Sequence, residues 1–163
     1  MDQLPPPLFN PQAADAEARG LLQPTAEDLP SLIAGWSGPR PLRVCSGGTS
    51  SRAAAEGQWT LDLRRSMTGI TWNAADQTVR IGGGCRMGQV LEQLHPLGRT
   101  VSAGLSGWPG VGYLLTGGMG PLSREHGLAV DQLQAVAGVW GSGEPFLLPV
   151  SYTHLRAHET IAD

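Results

Sequence analysis

Lysine is absent from this chain of 163 residues, and all 11 basic residues are arginine. The absence excludes the lysine of a P-loop, a Schiff-base lysine and a lysine general base. Charge is scarce in general, since charged residues make up 15% of the chain and the net charge is −3. With 40% hydrophobic residues the chain is predicted to be globular, and it has no basic surface for nucleic acid.

Cysteine is also rare, and the two that occur, Cys45 and Cys85, lie too far apart for a CxxC redox or metal motif. We expect both to be buried, reduced thiols. The first twenty residues hold Asp2, Asp15 and Glu17 and no apolar run, so they match neither a signal peptide nor a membrane anchor. A cytoplasmic protein without membrane association is therefore expected.

The last segment, residues 150–163, is unlike the rest of the chain. It resembles a conceptual translation of the transposase adapter used to build sequencing libraries, so we expect residues 150–163 to be a non-native tail that replaces the native sequence after Pro149. His154 and His158 have the i, i+4 spacing of a metal pair but fall inside this tail, and no metal site is predicted. Residues 1–22 are interpreted as a lead-in and residues 23–149 as one incomplete domain.

Glycine, by contrast, is abundant, and it is concentrated in two places. The stretch 109–120 contains Gly110, Gly112, Gly117, Gly118 and Gly120. A cluster this dense indicates positive φ angles or a ligand lying against the backbone. The other cluster, 45–51, is the first in chain order, so 109–120 is the second. It follows a predicted strand at 41–45 and is typical of a phosphate cradle at the start of a helical turn. An ordinary polar connection is the alternative.

Periodicity predicts the remaining elements. Thr25 is a good N-cap for a helix that passes through Ile33 and ends near Gly35. Apolar residues at Met87, Val90, Leu91 and Leu94 predict a second helix that is packed in the core. The predicted strands are 59–63, 69–72 and 78–81, with a further hairpin formed by 133–140 and 146–148.

The glycines at 82–84 do not complete a nicotinamide-binding Rossmann fingerprint. Gly82 and Gly84 fit its first two glycines, but the third position falls on Met87. About twenty residues further on, where a ribose-binding carboxylate is expected, the chain reads Val-Ser-Ala-Gly at 101–104.

Taken in order, the segments from about residue 25 to 148 resemble the FAD-binding domain of the flavoprotein oxidases typified by para-cresol methylhydroxylase and vanillyl-alcohol oxidase, including the berberine-bridge-like enzymes. The matching pieces are Ser-Gly-Gly-Thr-Ser at 46–50, Leu-Asp-Leu at 61–63, the Gly-rich strand end at 81–84, Ala-Gly at 103–104, the two glycine blocks at 110–112 and 117–120, and His-Gly-Leu-Ala-Val-Asp at 126–131.

The resemblance implies an α+β fold in which two small α/β lobes bind FAD between them, the second lobe being truncated here. The pyrophosphate is expected on the loop from Ser46 to Ser51, and the flavin and ribityl portion along Ala103 to Gly118. The residues implied to bind the cofactor are Ser46, Gly47, Gly48, Thr49, Ser50, Ser51, Ala103, Gly104, Ser106, Gly110, Gly112, Tyr113, Gly117 and Gly118. Asp131 is interpreted as structural.

The resemblance also implies a function, namely oxidation of a small organic substrate by hydride transfer to the flavin N5. In such oxidases the catalytic base comes from a following domain that this chain does not contain, so the chain alone is expected to be inactive. Two alternatives remain: a non-catalytic flavin- or nucleotide-binding module, and a flavin reductase resembling the peptidoglycan-precursor enzyme.

Two departures from the family pattern bear on how the cofactor is held. Many relatives attach the flavin covalently through a loop histidine, and some through a cysteine after the Ala-Gly. The matching positions here are Thr49 and Ser106. Neither side chain can form those bonds, so noncovalent FAD is predicted.

Overall fold

The computed structural model describes residues 20–38, 41–50, 53–54 and 57–150. These residues form one parallel sheet of three strands and two antiparallel hairpins. The strands are β1 (Gly20–Leu22), β2 (Arg43–Cys45), β3 (Trp59–Asp62), β4 (Ile70–Asn73), β5 (Thr78–Ile81), β6 (Ala135–Val139) and β7 (Pro145–Pro149). The helices are α1 (Leu29–Ala34), α2 (Met87–Leu94), α3 (Gly112–Leu115) and α4 (Ser123–His126), with 3₁₀ turns at His95–Leu97 and Ala129–Gln132.

The parallel sheet has the order β1-β3-β2, so β3 is its central strand. Leu61 of β3 lies opposite both Leu22 of β1 and Val44 of β2. The sheet starts at Gly20, within the segment 1–22 that the sequence presents as a lead-in. A three-residue apolar run is too short to show strand periodicity, and β1 is recognisable only from its pairing with β3.

Helix α1 begins later than predicted. Thr25 caps a separate turn, where its Oγ1 accepts a hydrogen bond from the Asp28 N–H at 3.1 Å and donates one to Asp28 Oδ2 at 2.7 Å. The helix itself starts at Leu29, with Pro30 in its first turn. Proline has no N–H and a fixed φ, which suit the first turn of a helix but not its interior.

The main core lies between α2 and the hairpin of β4 and β5, both of which were predicted. Met87, Val90 and Leu94 of α2 are buried, and Trp72 and Val79 pack against them from opposite positions in the hairpin. The expectation that Met87 and Leu94 are core residues is thus confirmed. Both cysteines are free and buried, as the sequence predicts.

Strands β6 and β7 form the second predicted hairpin. Trp140 and Phe146 stack at its end with ring centroids 4.2 Å apart. Gly143 has a φ of +90° and packs directly on Ala34 of α1, which leaves no room for a Cβ. Among the residues that the structure describes, no helix has the length and apolarity needed to cross a membrane.

Candidate cofactor-binding site

The first glycine cluster lies directly against the second. The segment Ser46–Gly48, which we call the cradle, follows β2 and contacts Pro109 and Gly110 through its main chain. A Cβ on Gly47 would overlap the backbone nitrogen of Gly110, and a Cβ on Gly110 would overlap that of Gly47. We call this contact the glycine junction. The neighbour that requires glycine here is protein backbone, whereas the sequence suggested a ligand.

The cradle presents unpaired backbone donors. Gly47 and Gly48 are buried, and within the described part of the chain neither N–H has a hydrogen-bond acceptor. Gly48 has a φ of +80°, and the Ser46 hydroxyl donates to the Gly83 carbonyl at 2.5 Å, which fixes the loop. Buried N–H groups without acceptors are rare, and neighbouring ones form the kind of concavity that binds anions. The cradle therefore fits a phosphate group.

The flanking residues of the predicted loop are less enclosed. Thr49 is half-buried and Ser50 is exposed, and Ser50 accepts a backbone hydrogen bond from Ala53 at 3.0 Å. Ser51 and the predicted helical turn at 52–56 lie outside the described residues, apart from Ala53 and Ala54.

The second predicted segment is fixed to the start of α2. The N–H groups of Met87 and Gly88 donate to the carbonyls of Pro109 and Gly107 at 2.8 and 2.9 Å. Gly88 and Gly107 also touch through their backbones. The same helix that carries the core residues thereby holds the loop that forms the glycine junction.

Next to this loop, Tyr113 connects two predicted site segments. Its ring lies against Gly104, and its hydroxyl donates a hydrogen bond to the Met119 carbonyl. Ser106 is exposed, and its Oγ accepts a hydrogen bond from the Trp108 N–H at 3.3 Å. The structure therefore brings residues 104–113 and 117–120 together.

The glycines of the second cluster divide into two groups. Gly110, Gly118 and Gly120 face protein atoms: Gly118 lies against Ala129, and Gly120 against the Ala103 carbonyl. A Cβ at Gly112 or Gly117 would meet nothing within 4 Å. Open space at these two positions is compatible with a ligand lying against the backbone, which is the role the sequence predicted for the cluster.

Asp131 has the structural role that the sequence predicts. Its Oδ2 accepts a hydrogen bond from the Leu128 N–H at 2.9 Å and lies close to Gly127, which has a φ of +77°. Arg124, Glu125 and His126 are exposed on α4. The nearby Gln132 is tied to Ser102, whose Oγ accepts from Gln132 Nε2 at 2.9 Å.

A buried ion pair lies behind the cradle. Asp62, at the end of β3, accepts hydrogen bonds from Arg64 Nε and Nη2, both at 2.8 Å. Burial alone would raise the pKa of Asp62, but its hydrogen bonds, chiefly those from Arg64, outweigh burial and hold the pKa below its ordinary value. The Arg64 charge is thereby neutralised within the protein.

Cys45 immediately precedes the cradle and is fully buried. Burial raises the pKa of its thiol to about 11, although the charges of Arg64 and Arg86 act in the opposite direction. Cys45 is therefore a neutral thiol at physiological pH, with no nucleophilic role in the site.

Arg86 is a feature of the site that the sequence analysis did not single out. Its Nε donates to the Gly47 carbonyl at 3.4 Å, and its guanidinium carbon lies 4.7 Å from the centroid of the Trp108 ring. Among the described residues no carboxylate forms an ion pair with it. Arg86 directly follows the glycines at 82–84 and Cys85, and this position was the available signal. It lies after the glycine run and before the apolar repeat of the helix, so neither pattern includes it.

Residues 25–146 match the model of the family described as "FAD binding domain". Among curated protein sequences, none is similar enough to match this chain.

Several solved oxidases have a similar structure. Glucooligosaccharide oxidase from Acremonium strictum is 26% identical with a TM-score of 0.77, and the match covers 89% of this chain and 32% of that one. The 6-hydroxy-D-nicotine oxidase from Arthrobacter nicotinovorans is also 26% identical, with a TM-score of 0.74 over 85% of this chain and 32% of that one. The fold is shared by BBE-like 1 from Physcomitrella patens, at 24% identity and a TM-score of 0.75, over 86% of this chain and 32% of that one. The chain thus spans about a third of the length of these structures.

Proposed function

The chain belongs to the FAD-binding domain family, and on that premise we propose that it is the FAD-binding portion of a flavin-dependent oxidoreductase. The observation that carries the proposal is the pair of buried N–H groups at Gly47 and Gly48, which have no acceptor among the described residues and lie in the family's match region. These donors would hold the pyrophosphate of FAD, whose two phosphates each carry a negative charge.

The rest of the cofactor would extend over the second glycine-rich region, between two small lobes. Gly112 and Gly117 leave open space there, while Tyr113 and the glycine junction hold the surrounding backbone in place. When bound, FAD supplies the chemistry by taking a hydride from a small organic substrate at its N5 atom. The role of this part of the chain is to bind and orient the cofactor.

We further propose that the FAD is held noncovalently. The glucooligosaccharide oxidase of Acremonium strictum carries a 6-S-cysteinyl, 8α-N1-histidyl FAD, that is, a flavin with two covalent links. This chain has Thr49 and Ser106 at the positions that resemble those of the linking residues. Its described cysteines, Cys45 and Cys85, are fully buried and so inaccessible as substitutes.

Titration of the 163-residue chain with FAD tests the proposal. We expect saturable quenching of flavin fluorescence at one FAD per chain. Acid precipitation of the complex should then leave the yellow colour in the supernatant, whereas a yellow pellet would show a covalent link. Absence of FAD uptake would contradict the proposed function and leave an α/β scaffold.

A non-catalytic flavin-binding module is the second candidate. It is favoured by the exposure of the titratable side chains of α4, Glu125 and His126, and by the hydrogen bond that commits the Tyr113 hydroxyl to Met119. The candidates can be separated in a longer protein that contains this domain. Bleaching of the flavin by a small organic donor supports an enzyme that oxidises such a donor. Reduction of the flavin by a nicotinamide cofactor would instead support a reductase.

We propose a cytoplasmic location for the protein.

A further inference from the structure

Two arginines of the described part of the chain lie beside the cradle, and they differ in how their charge is used. Arg64 is 9% exposed at its side chain and is paired with Asp62 at 2.8 Å. The Arg86 guanidinium donates its Nε to the Gly47 carbonyl. Within the described residues its Nη atoms have no hydrogen-bond acceptor, and no carboxylate neutralises it. Of these two, Arg86 is therefore the one whose charge remains available to a ligand.

The position of Arg86 is fixed at several points. Its own N–H donates to Gln89 Oε1 at 2.8 Å, its guanidinium stacks on Trp108, and its backbone bridges to Gly110. An arginine stacked on an aromatic ring loses little further entropy when it forms a hydrogen bond. The charge is thus held beside the two unpaired N–H groups of the cradle before any ligand arrives.

We propose that Arg86 is the cationic residue by which the cradle selects a pyrophosphate-bearing flavin over a flavin without phosphate. The inference rests on the proposed function, since it assigns a residue to the same cofactor site. Arg86 would neutralise part of the pyrophosphate charge, a contribution that backbone N–H groups alone supply only through partial charges. It would also hold the Gly47 carbonyl away from the phosphate, because that carbonyl points its lone pairs at the guanidinium.

The test compares FAD with riboflavin, which has the same ring system and no phosphate, by fluorescence quenching of the 163-residue chain. For Arg86→Gln we expect the Kd for FAD to rise about tenfold or more, the effect of losing a hydrogen bond to a charged group. The Kd for riboflavin should stay within about twofold of the wild-type value, because that ligand has no charge for Arg86 to neutralise. Arg86→Lys, which keeps the charge but loses the planar fork, should fall between wild type and Arg86→Gln.

The matched control is Arg99→Gln. Arg99 also lies over a tryptophan, Trp72, at 5.7 Å from the ring centroid, but at the outer end of the core and not at the cradle. The control loses one positive charge and one stacking contact, and its Kd for FAD should equal that of the wild type. A second readout is salt: raising sodium chloride from 50 to 500 mM should weaken FAD binding in the wild type more than in Arg86→Gln, because screening acts only on the charge that is present.

Each outcome supports or overturns the inference. Equal FAD affinity in wild type and Arg86→Gln overturns it, although the proposed function stands. Equal losses for FAD and riboflavin also overturn it, since they would show that Arg86 acts through the fold of the site and not through the phosphates. If the wild-type chain takes up no FAD, the proposed function fails first and the inference fails with it.

Discussion

The glycine junction and the core beneath α2 are joined by one helix but are packed in opposite ways. In the core, side chains pack on side chains, with Met87, Val90 and Leu94 fully or almost fully buried. At the junction, main chain packs on main chain, and Gly47 and Gly110 leave no space for even a methyl group. The core therefore depends on side chains that fill its volume, whereas the junction depends on the absence of side chains. The two regions should respond differently to small substitutions.

The largest effect is expected from Gly110→Ala. The new Cβ would overlap the Gly47 nitrogen and the Ser46 hydroxyl oxygen, and backbone on both sides would have to move. We expect the variant to lose its cooperative unfolding transition and FAD binding together, as measured by thermal denaturation and fluorescence quenching. A melting temperature within a few degrees of the wild type would remove the distinction between the junction and the core.

A loss almost as large is expected from Asp62→Asn, behind the cradle. Leaving the buried Arg64 charge without its partner should lower the free energy of unfolding by about 3–5 kcal/mol. Denaturation in urea measures the change. A difference below about 1 kcal/mol, the value typical of an exposed pair, would show that water reaches the pair.

The same ion pair predicts a pH dependence. Because the folded-state pKa of Asp62 lies below its ordinary value of 3.8, its stabilisation is complete above that pH and is lost as the pH falls through the folded-state pKa. The urea midpoint of the wild type should therefore fall as the pH is lowered below about 4. Asp62→Asn should lack this part of the fall, while a parallel decline in both proteins would assign the effect to other carboxylates.

The core should be far more tolerant. Met87→Leu nearly conserves volume in a fully buried position, and we expect it to change the free energy of unfolding by less than about 1.5 kcal/mol. The FAD affinity should not change, because the Met87 side chain belongs to the core cluster and its backbone hydrogen bond to Pro109 is kept in the variant. A larger loss of stability would mean that the core, like the junction, depends on one specific shape.

The smallest effect on stability is expected from Gly112→Ala, two residues from Gly110. A Cβ here meets nothing within 4 Å, and the residue opens α3 without a positive φ. The free energy of unfolding should change by no more than about 0.5 kcal/mol. FAD affinity, measured by the same quenching titration, should nevertheless fall if the cofactor occupies this space. Unchanged affinity would remove Gly112 from the site.

The sequence predicted those elements whose signal is local. The helix α2 and the hairpin of β4 and β5 follow from short repeating patterns, and the burial of Cys45 and Cys85 follows from the general behaviour of free thiols. The start of α1 was predicted too early, because Thr25 forms its own turn before Pro30. The residues of the cradle were named correctly as a loop after β2, but their cofactor contacts stay a prediction.

What the sequence could not provide are contacts between distant segments. Nothing in the residues near Gly47 indicates that Gly110 will press against it, and each glycine on its own is equally consistent with a nearby ligand. The pairing of Gly20–Leu22 with β3 and the stacking of Arg86 on Trp108 likewise depend on tertiary structure. These long-range contacts decide which glycines serve the fold and which leave room for a cofactor.

The burial of Cys45 gives the protein an internal reporter. A thiol that is fully enclosed, with a pKa of about 11, reacts with alkylating reagents only when the surrounding structure opens. Because Cys45 adjoins the cradle, its rate of alkylation measures how often that end of the sheet opens in the native protein. Any ligand that closes the cradle should slow this reaction, so that occupancy can be followed by mass spectrometry without a label on the ligand.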